Sequence, residues 1–371
     1  MSDTVDVLVA GAGPSGLLLA GILAGAGARV TVLESREVPN PQTRASTLHA
    51  RAMEIFAAHG VGFGRELPRA THGHYAGLPI DLSQVDSEWA GVWRCPQPEL
   101  VGTLTGWARK RGVRVHYGER VSSLRRQGQR CIAETAEGAF AASLVVAADG
   151  QASTVRSLLG IGFEGAPPTR VLVQADLLGA EVPGRRFERR GRYTVTAAPL
   201  SPEVTRVMIH DPQWTPGEVC TPEGLRAAWR DATGEDLPVE PSWLRTFGDD
   251  TRVASRLVGD RVVLCGDAAH PFIPIGGQAL NTSIMDADAL GRKVLDHLAG
   301  APLDYQEERS AQLRVVAERL RTQARLLFDT DEATARDKDR IAQQLTTDET
   351  YRRRIADGIA GFDVLEREVA R

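Results

Sequence analysis

The chain has 371 residues, 42% hydrophobic and 25% charged, with a formal net charge of −4. Such a composition is that of a folded globular protein and excludes a disordered chain, a collagen-like repeat and a small cross-linked scaffold. The length allows two compact units with a large core, and the mildly acidic balance gives no basic surface for nucleic acid.

The first elements read strand, turn, helix, strand. Residues 5–10 are a short β-rich run, 11–16 a glycine turn, 17–26 an apolar helix stopped by glycines, and 29–33 a second β-rich run ending at Glu34. This is a βαβ unit. The apolar start carries Asp3 and Asp6 where a secretory signal needs positive charge, and no run reaches the roughly 20 apolar residues of a membrane span. The expected setting is the cytoplasm. The scattered cysteines, Cys95, Cys131, Cys220 and Cys265, form no C-x-x-C pair and read as free thiols of a reducing compartment.

Further along, a helix is expected over 47–59, irregular chain over 69–96, and a helix over 99–111. Strands are expected over 113–117, 121–125, 130–135 and 143–148. A second strand-rich region covers 171–178, 192–198 and 205–210, spaced by turn residues as in a small antiparallel sheet. Residues 262–265 form one more short strand. From 278 onward the pattern is helical, and 303–371 is helical and highly charged. The whole suggests an α/β nucleotide-binding part interrupted by a β-rich insertion, followed by a helical tail.

Three segments carry chemistry. In Gly11-Ala12-Gly13-Pro14-Ser15-Gly16, Gly11 permits a tight turn, Gly13 lets a pyrophosphate approach the backbone, and Gly16 lets the helix sit close to the strand. The helix N-terminus offers unpaired N–H groups to phosphate. Glu34 would accept hydrogen bonds from ribose hydroxyls, and its place after the second strand supplies the confirming context for the glycines. This segment alone does not separate NAD from FAD. In the second, an apolar strand delivers Asp149-Gly150 at its carboxyl end. In the third, another strand delivers Gly266-Asp267, with His270, Pro274, Gly276-Gly277, Ala279 and Asn281 following. Asp267 could bind a polyol hydroxyl, and the helix start after Gly276 suits the negative charge of a reduced flavin ring.

These three segments, in this order, resemble the FAD-dependent aromatic hydroxylases, the single-component flavoprotein monooxygenases that include para-hydroxybenzoate hydroxylase and many polyketide oxygenases. The resemblance spans about residues 4 to 300. It implies a Rossmann-like FAD-binding domain of residues 1–68, 97–160 and 259–300. A β-sheet substrate domain of 69–96 and 161–258 would interrupt it, and 301–371 would form a C-terminal helical region. It assigns the ADP part of FAD to the first segment, FAD and NADPH contacts to Asp149-Gly150, and the ribityl chain to Gly266-Asp267. The runs around Arg44 and Cys95-Pro96-Gln97 match further segments of the family, which gives Arg44 a place near the FAD phosphates and Gln97 a flavin contact.

The implied reaction is hydroxylation of an aromatic or polyketide-type small molecule by NADPH and O₂ through a flavin C4a-hydroperoxide, as in antibiotic biosynthesis. A redox-neutral FAD-containing cyclase or rearrangement enzyme is the alternative. The chain departs from the family pattern at Ala279 and Ser283, where glycines are usual, and at Ala289 and Arg292. His270 is a candidate proton relay. His72, His74 and His210 read as solvated or structural, and no residue set has metal-ligand spacing. In the second sheet Tyr193, Val195 and Ala197 share one face and Thr194 and Thr196 the other; the pattern leaves open which meets the substrate.

Overall fold

A computed structural model describes residues 4–362. Strand Val5–Ala10 lies inside a seven-stranded sheet. Val30–Glu34 and Ala139–Ala147 flank it in parallel, and Arg114–Tyr117 continues the sheet beyond Val30–Glu34. Ala139–Ala147 divides its outer edge. Its first half pairs antiparallel with Arg130–Glu134, itself paired to Ser123–Gln127, and its second half pairs parallel with Val262–Leu264. Five parallel strands therefore run the same way; Glu34 closes one of them, and Gly11, Asp149 and Gly266-Asp267 follow the ends of three others. That placement is where open α/β sheets bind ligands.

The parallel strands are near-continuous apolar runs because both of their faces are covered. Helix Pro14–Gly25 is buried almost all round, packed against helices Gln97–Lys110 and Gln278–Leu298. Small residues set the spacing. A Cβ on Gly21 would lie 1.8 Å from the Trp107 ring, and one on Gly291 2.9 Å from Ile22.

A second, five-stranded sheet is antiparallel throughout, in the order Arg185–Arg190, Tyr193–Ser201, Val204–His210, Val171–Leu178, Trp243–Gly248. Val173, Tyr193, Val195, Ala197, Val207 and Ile209 form a separate core with Leu225 and the fully buried Trp229 of helix Pro222–Thr233. The opposite face turns toward the rest of the chain: Leu172 and Met208 join the larger core, and Thr194 Oγ1 donates to Leu327 O at 3.2 Å.

Several elements differ from the sequence reading. The segment expected to be irregular contains paired strands Arg69–Ala70, His72–Tyr75, Leu78–Asp81 and Val92–Arg94. The helix expected from residue 47 is preceded by strand Thr47–His49 and runs over Ala50–Ala58. Arg185–Arg190 was not predicted because its charges hide any apolar alternation. The tail is helical over Gln306–Phe328, Glu332–Thr347 and Glu349–Ala360; the helix expected beyond residue 362 lies outside the described residues. Among those residues no helix is long and apolar enough to cross a membrane.

Candidate active site

A cavity of about 960 Å³ opens at the strand ends, lined among others by Gly13, Glu34, Arg44, Gln97, Asp149 and Asp267. The first glycine turn is set by contacts no side chain would tolerate. Gly11 has φ 107°, and a Cβ there would lie 2.3 Å from Ala148 O; a Cβ on Gly16 would lie 2.2 Å from Gly11 O. Gly13 is different: a Cβ would meet nothing within 4 Å. It begins helix Pro14–Gly25 with no side-chain cap, so the helix's positive end faces open space, the arrangement an anion fits.

Glu34 is buried behind this turn. Its Oε2 accepts from Ala12 N–H at 2.9 Å and its Oε1 from Arg36 N–H at 3.0 Å. Asp149 lines the cavity, but its carboxylate caps the next helix, accepting from Ser153 Oγ at 2.5 Å and Val155 N–H at 3.1 Å. Gly150 beside it has φ 84°. Gln97 Oε1 accepts from Ala45 N–H at 3.2 Å and so holds the Arg44 loop. Burial, with Arg245 and Arg36 close by, pushes the Arg44 guanidinium below its ordinary pKa, against the pull of Asp267.

The third segment has the most telling arrangement. Asp267 opens onto the cavity and, among the described residues, its carboxylate is recorded in no hydrogen bond or ion pair. Enclosure by the surrounding protein pushes it above its ordinary value, opposed by His270 and Arg44. Exposed to the cavity, this acceptor is served by water and is free to accept from the hydroxyls of a ligand. The residue before it is held firmly: Gly266, at φ 62°, donates its N–H to Asp286 Oδ2 at 2.9 Å.

Asp286 is a hub. It also contacts His270 Nε2 at 2.5 Å and Arg309 Nε at 2.7 Å. Burial pushes its carboxyl up, but His270 and Arg309 outweigh burial and hold it below its ordinary value. His270, the candidate relay, is thus fully buried and off the cavity wall, placed as a brace for the loop. Neither Asp286 nor Arg309 carried a sequence signal, since each is one charge on a helix far from its partners.

Pro274 and Ala279 line the cavity. Gly276 and Gly277 take the left-handed conformation, with φ 61° and 77°. Ala279 falls inside helix Gln278–Leu298, where a methyl group costs no backbone strain. Ser283 points its hydroxyl back to Ala279 O at 2.9 Å. Asn281 is turned into the protein: its Nδ2 donates to Thr47 O and Gly277 O, and its Oδ1 accepts from His49 N–H at 2.8 Å. Among the other histidines, His210 is buried against Val171 O and Phe328, His72 is on the surface, and His74 lies beside Gly276.

The turns, the uncapped helix end and the partnerless Asp267 together make a cradle for a dinucleotide with a polyol chain. The FAD binding domain family matches residues 4–322, and the chain belongs to the FAD-dependent aromatic hydroxylases, a family of flavoprotein monooxygenases. It is 36% identical to a rifampicin monooxygenase of Streptomyces venezuelae, over 87% of this chain and 71% of that protein. The solved structure of an anhydrotetracycline hydroxylase from Streptomyces rimosus superposes with a TM-score of 0.89 at 34% identity, covering 98% of this chain and 77% of that one. A dialkyldecalin synthase of Streptomyces rugosporus is 34% identical over 84% of this chain and 70% of its own length.

Proposed function

We propose that this monooxygenase hydroxylates an aromatic or polyketide-type small molecule with NADPH and O₂, and that the cavity beside Asp267 is its FAD site. The observation that carries the site is the pairing of an open Gly13 at the uncapped helix end with an acceptor, Asp267, that the protein leaves without a partner. Gly11 to Gly16 would hold the pyrophosphate, Glu34 the ribose, Arg44 the phosphate region, and Asp267 the ribityl hydroxyls. The start of helix Gln278–Leu298 would face the ring's negative edge. FAD supplies hydride acceptance and O₂ activation, while the chain supplies position, electrostatics and water exclusion.

Within this reading, residues 1–68, 97–160 and 259–300 form an interrupted Rossmann-like domain, 69–96 and 161–258 the substrate domain, and 301–371 a C-terminal helical region. Asp149 contributes by shaping the cavity wall, and Asn281 and Gly277 by fixing the loop that Pro274 enters. Asp286 and Arg309 act through Gly266, keeping the Asp267 backbone where the polyol passes. A cytoplasmic setting suits a reaction that consumes NADPH.

The second reading, a redox-neutral cyclisation or rearrangement, draws support from the likeness to the dialkyldecalin synthase. Purified protein and a panel of phenolic polyketides under air separate the two. Yellow protein with substrate-stimulated NADPH oxidation and an oxygenated product is expected. Substrate conversion without NADPH consumption would favour the second reading, and protein that cannot be reconstituted with FAD would overturn both.

A further inference from the structure

The parallel sheet delivers two carboxylates to the cavity from neighbouring strands. Val30–Glu34 pairs in parallel with Arg114–Tyr117, with Glu34 opposite Tyr117. Past that pair the two segments stay together: Gly118 N–H donates to Arg36 O and Glu119 N–H to Glu34 O, both at 2.8 Å. Glu34 and Glu119 are therefore neighbours across the strand ends, and both line the cavity. Their side chains are treated differently. The oxygens of Glu34 are engaged by the protein, Oε2 by Ala12 N–H at 2.9 Å and Oε1 by Arg36 N–H at 3.0 Å. Glu119 is only 9% exposed, yet among the described residues neither of its carboxylate oxygens joins a hydrogen bond or ion pair. Its Oε2 is closed off from solvent, which leaves Oε1 as the oxygen that can meet a molecule in the cavity.

A carboxylate enclosed without donors is unfavourable, and folded proteins rarely keep one. A donor supplied by a ligand would relieve it, and a carboxylate acceptor makes the stronger kind of hydrogen bond. The order of the strands says which donor that is. The glycine turn after Val5–Ala10 would hold the pyrophosphate, and Glu34, at the end of the next strand, the ribose. The base follows the ribose in a dinucleotide, and Glu119 stands just past the end of the strand beyond Glu34. A carboxylate accepts and does not donate. Adenine has one donor group to offer it, the exocyclic amine, since the bare ring nitrogens are acceptors.

We propose that Glu119 accepts a hydrogen bond from the exocyclic amine of the FAD adenine and so selects adenine over a 6-oxopurine. The inference rests on the FAD site proposed above and names the residue that reads its base. Equilibrium titration of the apoprotein with FAD, and with FAD deaminated at its adenine, tests it. Deamination puts a carbonyl where the amine was, so two acceptors would face each other. Wild type should bind FAD at least about tenfold more tightly than the deaminated form. Glu119→Gln has an amide that can accept from the amine or donate to the carbonyl, and Glu119→Ala can do neither. Each should cut the ratio of the two affinities about tenfold. The Glu119→Gln apoprotein should melt at the wild-type temperature or above, because the protein itself gives the carboxylate no partner. Equal binding of the two flavins by wild type, or a ratio that survives either substitution through an equal loss for both flavins, would overturn the proposal. The two readings fail in different ways. Wild type that binds FAD without the preference sinks the Glu119 assignment alone, whereas wild type that binds neither flavin sinks the FAD site with it.

Discussion

In the parallel sheet, single residues answer to single backbone contacts. Gly11 and Gly16 have no room for a side chain, and Gly13 has room that the protein leaves empty. In the antiparallel sheet the demand is collective. Tyr193, Val195 and Val207 meet Trp229 as an apolar layer, and another set of similar volume would serve. A cofactor of fixed shape calls for residues fixed one at a time, whereas the sheet proposed above as the substrate domain can change while its layer is kept. Substitutions should therefore behave differently in the two regions.

The largest effect is expected from Asp286→Asn. Removing the carboxylate from a buried charge pair takes away the charge that Arg309 faces and costs about 3–5 kcal/mol, read from urea unfolding. The Asp286 carboxyl is held below its ordinary value in the fold. Its stabilisation is therefore complete above the unfolded value of about 3.9 and is lost as pH falls toward the folded one. Part of the wild type's acid sensitivity should accordingly vanish in this variant. Gly11→Ala should cost about 3 kcal/mol, since a Cβ must displace backbone and adopt a left-handed φ. Either variant unfolding at the wild-type midpoint would break the claim that backbone contacts govern this region.

Asp267→Asn separates function from stability. Its folded value is raised, so the ionised form is disfavoured by folding above that value, and the penalty disappears as pH falls below the unfolded one. The apoprotein variant should be as stable as wild type at neutral pH, or more so, while FAD affinity falls about tenfold. Lower apoprotein stability with unchanged affinity would contradict the assignment. The smallest effect is expected in the second region. Thr221 caps helix Pro222–Thr233 through Gly224 N–H at 3.2 Å, and Thr221→Ala should cost about 1 kcal/mol without touching FAD affinity in a flavin fluorescence titration.

The same contrast explains what could be read from the sequence. The Gly11 turn, Glu34 and the Gly266-Asp267 strand end were legible because steric need leaves one residue type at a fixed spacing. Alternation gave the two faces of Tyr193–Ser201, but only packing against Trp229 shows which is which. Trp243–Gly248 and Arg185–Arg190 escaped notice because charged or mixed strands carry little apolar period. The hub at Asp286 was hidden because Gly266 and His270 reach it from one stretch of chain and Arg309 from another. Asp149 and Asn281 were expected to contact the cofactor, yet their side chains hold protein rather than open space, which spacing cannot reveal.

Gly13 tests the central claim most directly. In the free protein its position has ordinary extended backbone, φ −79° and ψ 176°, and open space beside it. Gly13→Ala should therefore unfold within about 1 kcal/mol of wild type. Equilibrium titration of the two apoproteins with FAD should show the variant binding at least about tenfold more weakly, because the methyl group occupies the pyrophosphate's approach. Equal affinity would mean that FAD does not lie across the Gly13 turn, and the cofactor site would have to be placed elsewhere.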